Sequence, residues 1–293
     1  MPSRRRVLRS LAGLALSLPA VRAYAAGSMR IASLDYGLAS TLLSLGLKPV
    51  AVSERADWGK WVVEPALPAE VRDLGSTFEV NVEMLAMLKP DLILITPYLD
   101  GLRQQLDGFG PVLRLSIFAE DSGPILPAAV AATRRLGAVV GRERQAEDFL
   151  RRSDAFFAAC RERIARLSPP PLAFVNFMDA RHARIYGAPG LFDNVLERIG
   201  VRNAWPEPSN FWGFQTIALE DLARVRDPEA RLVAFEPIPG DVRPTLANSP
   251  LWRALPFARP GHFSVLPAAL MFGMVNEAMR FAGLVTDMLE REP

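Results

Sequence analysis

The chain has 293 residues, half of them hydrophobic and 23% charged, with one cysteine and two histidines. That length exceeds what one hydrophobic core usually spans, so two domains or lobes of roughly 100–200 residues each are expected. The composition excludes disorder, collagen and low-complexity repeats, and Cys160, His182 and His262 are too few for a disulfide scaffold or a Cys/His zinc site.

The formal charge of +2 originates in the first 25 residues, which hold Arg4, Arg5, Arg6, Arg9 and Arg22 and no acid. Beyond them 29 basic residues face 32 acidic ones, a balance near −3, and no nucleic-acid partner is expected. The leader joins a basic start, the apolar run Leu11 to Val21 and the small-residue site Ala23-Tyr24-Ala25. The apolar run is too short to span a bilayer, so residues 1–25 read as an export signal cleaved near Ala25. Ser3-Arg4-Arg5-Arg6-Val7-Leu8-Arg9 resembles a twin-arginine signal with Val7 where phenylalanine is usual, against the alternative of an ordinary secretory leader. A location outside the cytoplasm follows, and no later stretch has 18 consecutive apolar residues.

Met29 to Leu34 reads as a buried strand, Leu38 to Leu45 as a helix closed by Gly46, and Pro49 to Val52 as a second strand. The helix Val82 to Leu88 stops at Lys89-Pro90 and is followed by the apolar strand Asp91 to Thr96 and the turn Pro97-Tyr98. Val112 to Ser116 is another strand, and Ile125 to Val140 has helical spacing. Arg142 to Leu167 contains no glycine or proline and carries Ala146, Phe149, Leu150, Phe156, Phe157 and Ile164 at helical spacing. It predicts one helix about 38 Å long, broken by Ser168-Pro169-Pro170-Pro171, with Cys160 as a buried small hydrophobe.

A second alternating block follows: strand Leu172 to Phe177, helix Leu191 to Ile199 closed by Gly200, helix Leu219 to Val225, strand Arg231 to Phe235 and strand Phe263 to Leu266. A closing helix is expected over Ala268 to Leu289, with Leu270, Met271 and Phe272 at its start. The blocks echo one another: Glu83 to Pro90 followed by a strand matches Glu220 to Pro228 followed by a strand, and Leu43 to Leu47 matches Glu197 to Val201. The expected architecture is α/β, with two Rossmann-like lobes of parallel-rich sheets, 28–141 and 171–293, joined by one long rigid helix, 142–168. In open sheets of this kind a ligand lies beyond the carboxyl ends of the strands, so Pro97-Tyr98 and the loop around Trp212 should line a cleft between the lobes.

The mature chain resembles periplasmic substrate-binding proteins of iron-siderophore ABC importers, in particular the ferric-hydroxamate binders. The resemblance is carried by Trp61 to Pro68 (WVVEPALP), Leu88 to Leu92 (LKPDL), Asp179 to His182 (DARH), Asn203-Ala204-Trp205, Asn210 to Gly213 (NFWG) and Pro250 to Phe257 (PLWRALPF). It implies a helical-backbone, class III periplasmic binding protein that captures a ferric siderophore whole and delivers it to an inner-membrane permease and its ATPase. By motif match it implies Trp61, Tyr98 and Trp212 as aromatic walls. Rigid aromatics supply contact area at little entropic cost to a compact, largely apolar chelate.

Three positions depart from the family pattern. Thr77 stands where the hydroxamate binders carry an arginine, Leu270 where they carry a tryptophan, and Phe214 where they carry a small polar residue. Losing a planar donor fork at Thr77 raises the question of whether Lys60 or Arg103 replaces it. Trp58 is a candidate second wall, while Trp205 and Trp252 read as core and His182 as a structural turn residue. For permease docking the resemblance implies one acid on each lobe: Glu220 on the second, and on the first a position held by Gln104 with Asp100 and Asp107 nearby. No resident cofactor or metal ligand set and no catalysis are expected, and the protein should be a monomer. Haem through Tyr98 or His182, cobalamin or another metal chelate remain alternative ligands. An exported enzyme on a chelatase-like α/β fold is the remote alternative, with Glu236 and Asp241 as an imaginable acid/base pair; no Walker or dinucleotide loop, GxSxG or HExxH motif supports it.

Overall fold

The computed structural model describes residues 29–115, 117–120 and 123–291. The expected export signal, residues 1–25, lies outside them. In the first lobe, β1 (Ile31–Ser33), α1 (Tyr36–Ser44), β2 (Ala51–Val52), α2 (Trp58–Trp61), β3 (Arg72–Asp73), α3 (Val82–Leu88), β4 (Leu92–Ile95), α4 (Arg103–Leu106) and β5 (Val112–Arg114) follow in order. The strands form one sheet in the order β3-β2-β1-β4-β5, and every pairing is parallel. Covered on both faces, β1 and β4 are buried at every position, which is why they read as unbroken apolar runs. The edge strand β3 is exposed and carries Arg72 and Asp73, charges that blunt an open edge.

Local chemistry sets the helix ends. Asp35 Oδ1 accepts the Leu38 N–H at 2.9 Å to start α1, and Asn81 Oδ1 accepts the Met84 N–H at 2.8 Å to start α3. The expected Pro97-Tyr98 turn is the start of a 3-10 helix, Pro97–Leu102.

After α5 (Ile125–Val139), the long unbroken run forms α6 (Glu143–Ala165), 23 residues or about 34 Å. Its buried face is Ala146, Phe149, Leu150, Ser153, Phe157, Cys160 and Ile164. Phe156 is only partly buried and packs edge-on against Phe157.

The second lobe contains β6 (Leu172–Phe177), β7 (His182–Tyr186), α7 (Leu191–Ile199), β8 (Phe214–Ala218), β9 (Arg231–Phe235), α8 (Val242–Asn248), α9 (Pro250–Ala254), β10 (Phe263–Leu266) and α10 (Val275–Arg291). Its sheet runs β10-β9-β6-β7-β8. The pairs β9–β10 and β6–β9 are parallel, whereas β7 is antiparallel to both β6 and β8. The strand β8 lies where no strand was expected, and the sheet is mixed because β6 and β7 are joined by a turn too short for a parallel crossover. In that turn Asp179 Oδ1 accepts the N–H groups of Arg181 at 2.6 Å and His182 at 2.8 Å, and His182 Nδ1 lies 3.0 Å from Asp179 Oδ2. His182 is thus the turn residue that opens β7.

Two helix boundaries differ from expectation. Residues 219–224 form a 3-10 helix, and the closing helix begins at Val275, not Ala268. The Glu277 carboxylate accepts the Met274 N–H at 2.7 Å, and its Cβ would lie 2.2 Å from a β-carbon on Gly273, so residues before Met274 leave the helix. Leu270, Met271 and Phe272 therefore sit on an irregular loop between β10 and α10.

The largest apolar cluster runs from Ile31 and Leu94 on the first sheet, through α5, α6 and α10, to Phe174 and Phe235 on the second. A core shared by both lobes resists large hinge opening, because separating them exposes close-packed side chains. Trp205 is buried in a second cluster and donates Nε1–H to Gln215 Oε1 at 3.1 Å, and Trp252 packs edge-on against Phe263. Trp205 is core, as expected, whereas Trp252 is partly buried at the edge of that cluster. Among the described residues no helix is long and apolar enough to cross a membrane.

Candidate ligand-binding cleft

A cavity of about 700 Å³ lies between the lobes, at the carboxyl ends of the parallel strands. β1 delivers Asp35 to it, β2 delivers Ser53 and Glu54, β4 delivers Thr96 and Tyr98, and β6 delivers Asn176 and Met178. Trp61, Thr77, Tyr98, Trp212, Phe214 and Leu270, six of the seven residues singled out from the sequence, line this one cavity.

Trp58 does not. It is buried, its Nε1–H donates to the Pro65 carbonyl at 3.0 Å, and its ring stands edge-on to Tyr36 at 5.7 Å. The single turn of α2 presents Trp61 to the cavity, while Trp58 supports Tyr36, which is itself a cavity residue.

Aromatic contacts span the two lobes. Tyr98 meets Phe78 at 5.3 Å and Trp212 at 5.4 Å, both edge-on. Trp212 stacks on Phe118 at 5.9 Å and meets Phe272 edge-on at 5.6 Å, and Phe272 also touches Phe214. Tyr98, Phe78 and Met178 are more than half exposed, so the apolar surface reaches the cavity mouth. Trp212 is aimed by the glycine after it: Gly213 has φ +83°, and a β-carbon there would lie 2.1 Å from the Gly190 Cα. Asn210 Oδ1 fixes the same loop by accepting the Trp212 N–H at 3.0 Å.

Neither Lys60 nor Arg103 reaches the cavity. The Lys60 ammonium lies 4.6 Å from the centre of the Trp61 ring, and Arg103 is exposed on α4. The arginine that lines the cavity is Arg184, from the middle of β7. Its guanidinium carbon lies 4.3 Å from the centre of the Phe214 ring, and its buried Nε has no hydrogen-bond partner among the described residues. Tyr186, two residues on, donates to Asn176 Oδ1. Burial pushes its hydroxyl pKa above the usual tyrosine range, and the charge of Arg184 pulls against that.

Sequence reasoning missed Arg184, Tyr186 and Asn176. A visible signal existed: His182 to Tyr186 has buried residues at Ala183 and Ile185, so Arg184 is a lone cation projecting from the other face of a strand.

The opposite wall is acidic. Asp35 lines the cavity, and burial, aided by nearby Glu277, raises its pKa to about 7 against the backbone N–H of Leu38, which lowers it. Glu277 is likewise pushed upward by burial. Glu54 takes a left-handed backbone conformation, φ 51° and ψ 39°, and its carboxylate accepts the Thr77 N–H at 3.4 Å. The Thr77 backbone N–H therefore helps to hold this carboxylate, while the residue itself lines the cavity. Among the described residues no group of three or more His, Cys, Asp or Glu is arranged to hold a metal ion. Glu236 and Asp241 are exposed and do not line the cavity.

On the outer surface Glu220 is exposed in the first turn of its 3-10 helix and has no ion pair among the described residues. Its neighbour Asp221 accepts the Ala218 N–H and pairs with Arg224. On the first lobe Asp100 pairs with Arg114 at 2.7 Å, whereas Gln104 and Asp107 are exposed and have no ion pair among the described residues.

The family model described as Periplasmic binding protein matches residues 31–270. The iron(3+)-hydroxamate-binding protein FhuD of Escherichia coli strain K12 is 28% identical over 289 residues, which is 98% of this chain and 96% of that protein. A putative ABC transporter substrate-binding lipoprotein, YhfQ of Bacillus subtilis strain 168, is 22% identical over 275 residues, covering 90% and 83% of the two chains. Among solved structures, the siderophore-binding protein FhuD of Vibrio cholerae, with Fe3+-Desferal bound, superposes with a TM-score of 0.82 at 27% identity. That match covers 90% of this chain and 99% of that one.

Proposed function

This chain belongs to the periplasmic binding protein family, and from that premise we propose that it captures a ferric siderophore, of hydroxamate type, between its lobes and hands it to an inner-membrane ABC permease for iron uptake. The observation that carries the reading is the cavity of about 700 Å³, walled by aromatics of both lobes and lined by the guanidinium-bearing Arg184. The two FhuD relatives bind iron hydroxamates and Fe3+-Desferal respectively, and their likeness extends over nearly the whole chain.

Iron is cargo in this reading, held by the oxygens of its own chelate, and no bond is made or broken. Trp61, Tyr98, Trp212, Phe214 and Leu270 supply apolar contact to the rim of the chelate, and the Arg184 fork donates to its metal-binding oxygens. Three hydroxamates neutralise Fe3+, so one guanidinium suffices to orient the complex, and no ring of cations is required. The small opening allowed by α6 and the shared core suits a receptor that binds in a largely preformed site. The protein would work as a periplasmic monomer, docking to the permease through Glu220 on one lobe and Asp107 on the other.

The test is tryptophan-fluorescence titration of the chain from Ala26 with Fe3+-Desferal, a ferric tris-catecholate, haem and cobalamin. Saturable quenching by the hydroxamate at micromolar or lower concentration is expected. A response to haem or cobalamin alone, with silence from the hydroxamate, would overturn the ligand class.

A further inference from the structure

We propose that the wall formed by Asp35, Ser53 and Glu54 is a subsite for an ammonium group carried on the bound chelate, so that the protein prefers cationic ferric hydroxamates to neutral ones. The inference rests on the hydroxamate reading above and concerns the first-lobe wall of the cavity, since Asp35, Ser53 and Glu54 follow strands of the first lobe and Arg184 lies on the second.

An unpartnered serine carries it, and the conformation of the residue after it agrees. Ser53 lines the cavity, is 3% exposed, and its hydroxyl has no hydrogen-bond partner among the described residues. A buried polar group left unsatisfied is costly unless a ligand completes it. Beside it, Glu54 is a non-glycine residue held in the left-handed region by three contacts. Its N–H donates to the Gly75 carbonyl at 2.7 Å, its carbonyl accepts the Tyr36 hydroxyl, and its side chain accepts the Thr77 N–H. Such an over-determined backbone beside a cavity marks a side chain held in place for use.

The charges are complementary. An ammonium has three N–H donors and no acceptor, and this wall offers acceptors from Glu54, Ser53 and Asp35. Among the described residues no cation pairs with this wall: Arg55 donates to the Ala69 carbonyl, the Lys60 ammonium lies over Trp61, and Glu54 has no ion pair. The negative field extends to Tyr36, whose hydroxyl is pushed up by burial first and then by Glu54, Asp57 and Asp73. Polyanionic ferric catecholates, and the two propionates of haem, would face this wall with Arg184 as their one cavity-lining cation.

The experiment compares Fe3+-Desferal, which ends in a free amine, with its N-acetylated form, which has the same iron core and no ammonium. The wild-type protein should bind the amine form about tenfold more tightly, and Glu54→Gln should bring the two within roughly twofold. Ser53→Ala should narrow the gap as well. Equal binding of both forms by the wild-type protein overturns the subsite and leaves the hydroxamate reading standing, and needs no folded variant. A gap that survives Glu54→Gln in a folded variant also overturns it. Binding of neither form sinks the hydroxamate reading itself.

Discussion

The guanidinium carbon of Arg184 lies 4.3 Å from the centre of the Phe214 ring, so the arginine of the cavity sits over an aromatic face. Phe214, which stands where the resemblance implies a small polar residue, is thereby the surface over which this planar cation lies.

Arg184→Ala should weaken binding of Fe3+-Desferal by about 2 kcal/mol, or roughly 30-fold, the usual worth of a hydrogen bond to a charged group. Arg184→Lys should not restore it, because an ammonium lacks the fork and stacks less well on Phe214. Equal affinities of wild type and Arg184→Ala, measured by fluorescence titration, would remove Arg184 from the site.

Trp212 joins Tyr98 and Phe118 of the first lobe to Phe272 of the second. Trp212→Ala should therefore cost at least tenfold in affinity, and a change within about twofold, under roughly 0.4 kcal/mol, would refute its place in the pocket. Gly213→Ala should act differently. The added β-carbon meets Gly190 backbone at a left-handed position, so thermal unfolding should fall by several degrees, an effect of about 1–3 kcal/mol.

Asp35 has a folded pKa of about 7 against an unfolded value near 3.8. Between these values the unfolded chain has lost a proton that the folded chain keeps, so stability falls as pH rises from about 4 to about 7 and the loss is complete above that. The effect amounts to up to roughly 4 kcal/mol. Asp35→Asn keeps an acceptor for the Leu38 N–H and removes the titration. The variant should melt higher than wild type at pH 8 and nearly level with it at pH 4, by calorimetry across that range. A constant difference would show that Asp35 does not titrate there.

Glu220→Ala and Asp107→Ala should leave chelate affinity unchanged, because both residues are exposed and neither lines the cavity. Iron uptake through the permease should fall in each, and further in the double variant. Undiminished uptake in the double variant would mean that other residues dock.

Much of this molecule was legible in its residues. The unbroken run from Arg142 to Leu167 can only be a long helix, and apolar strands ending in Gly- or Pro-marked loops declare an α/β layering, because periodicity and backbone restriction are local properties of the chain. The aromatic wall was legible too, since Trp61, Tyr98 and Trp212 stand in recognisable loops. Other features depended on which segments meet. The antiparallel β7 and β8 turn Arg184 and Phe214 toward the cleft, and nothing local to HARIY or FQTIA specifies that pairing. Trp58 went to the core because Pro65, seven residues away, accepts its indole N–H. The late start of α10 follows from a carboxylate, Glu277, claiming the Met274 N–H. Local sequence thus determined the elements and the material of the walls, while the electrostatics of the cavity arose only when two sheets brought Arg184 to one side and Asp35 and Glu54 to the other, since burial and charge pairing exist only between segments that folding has joined.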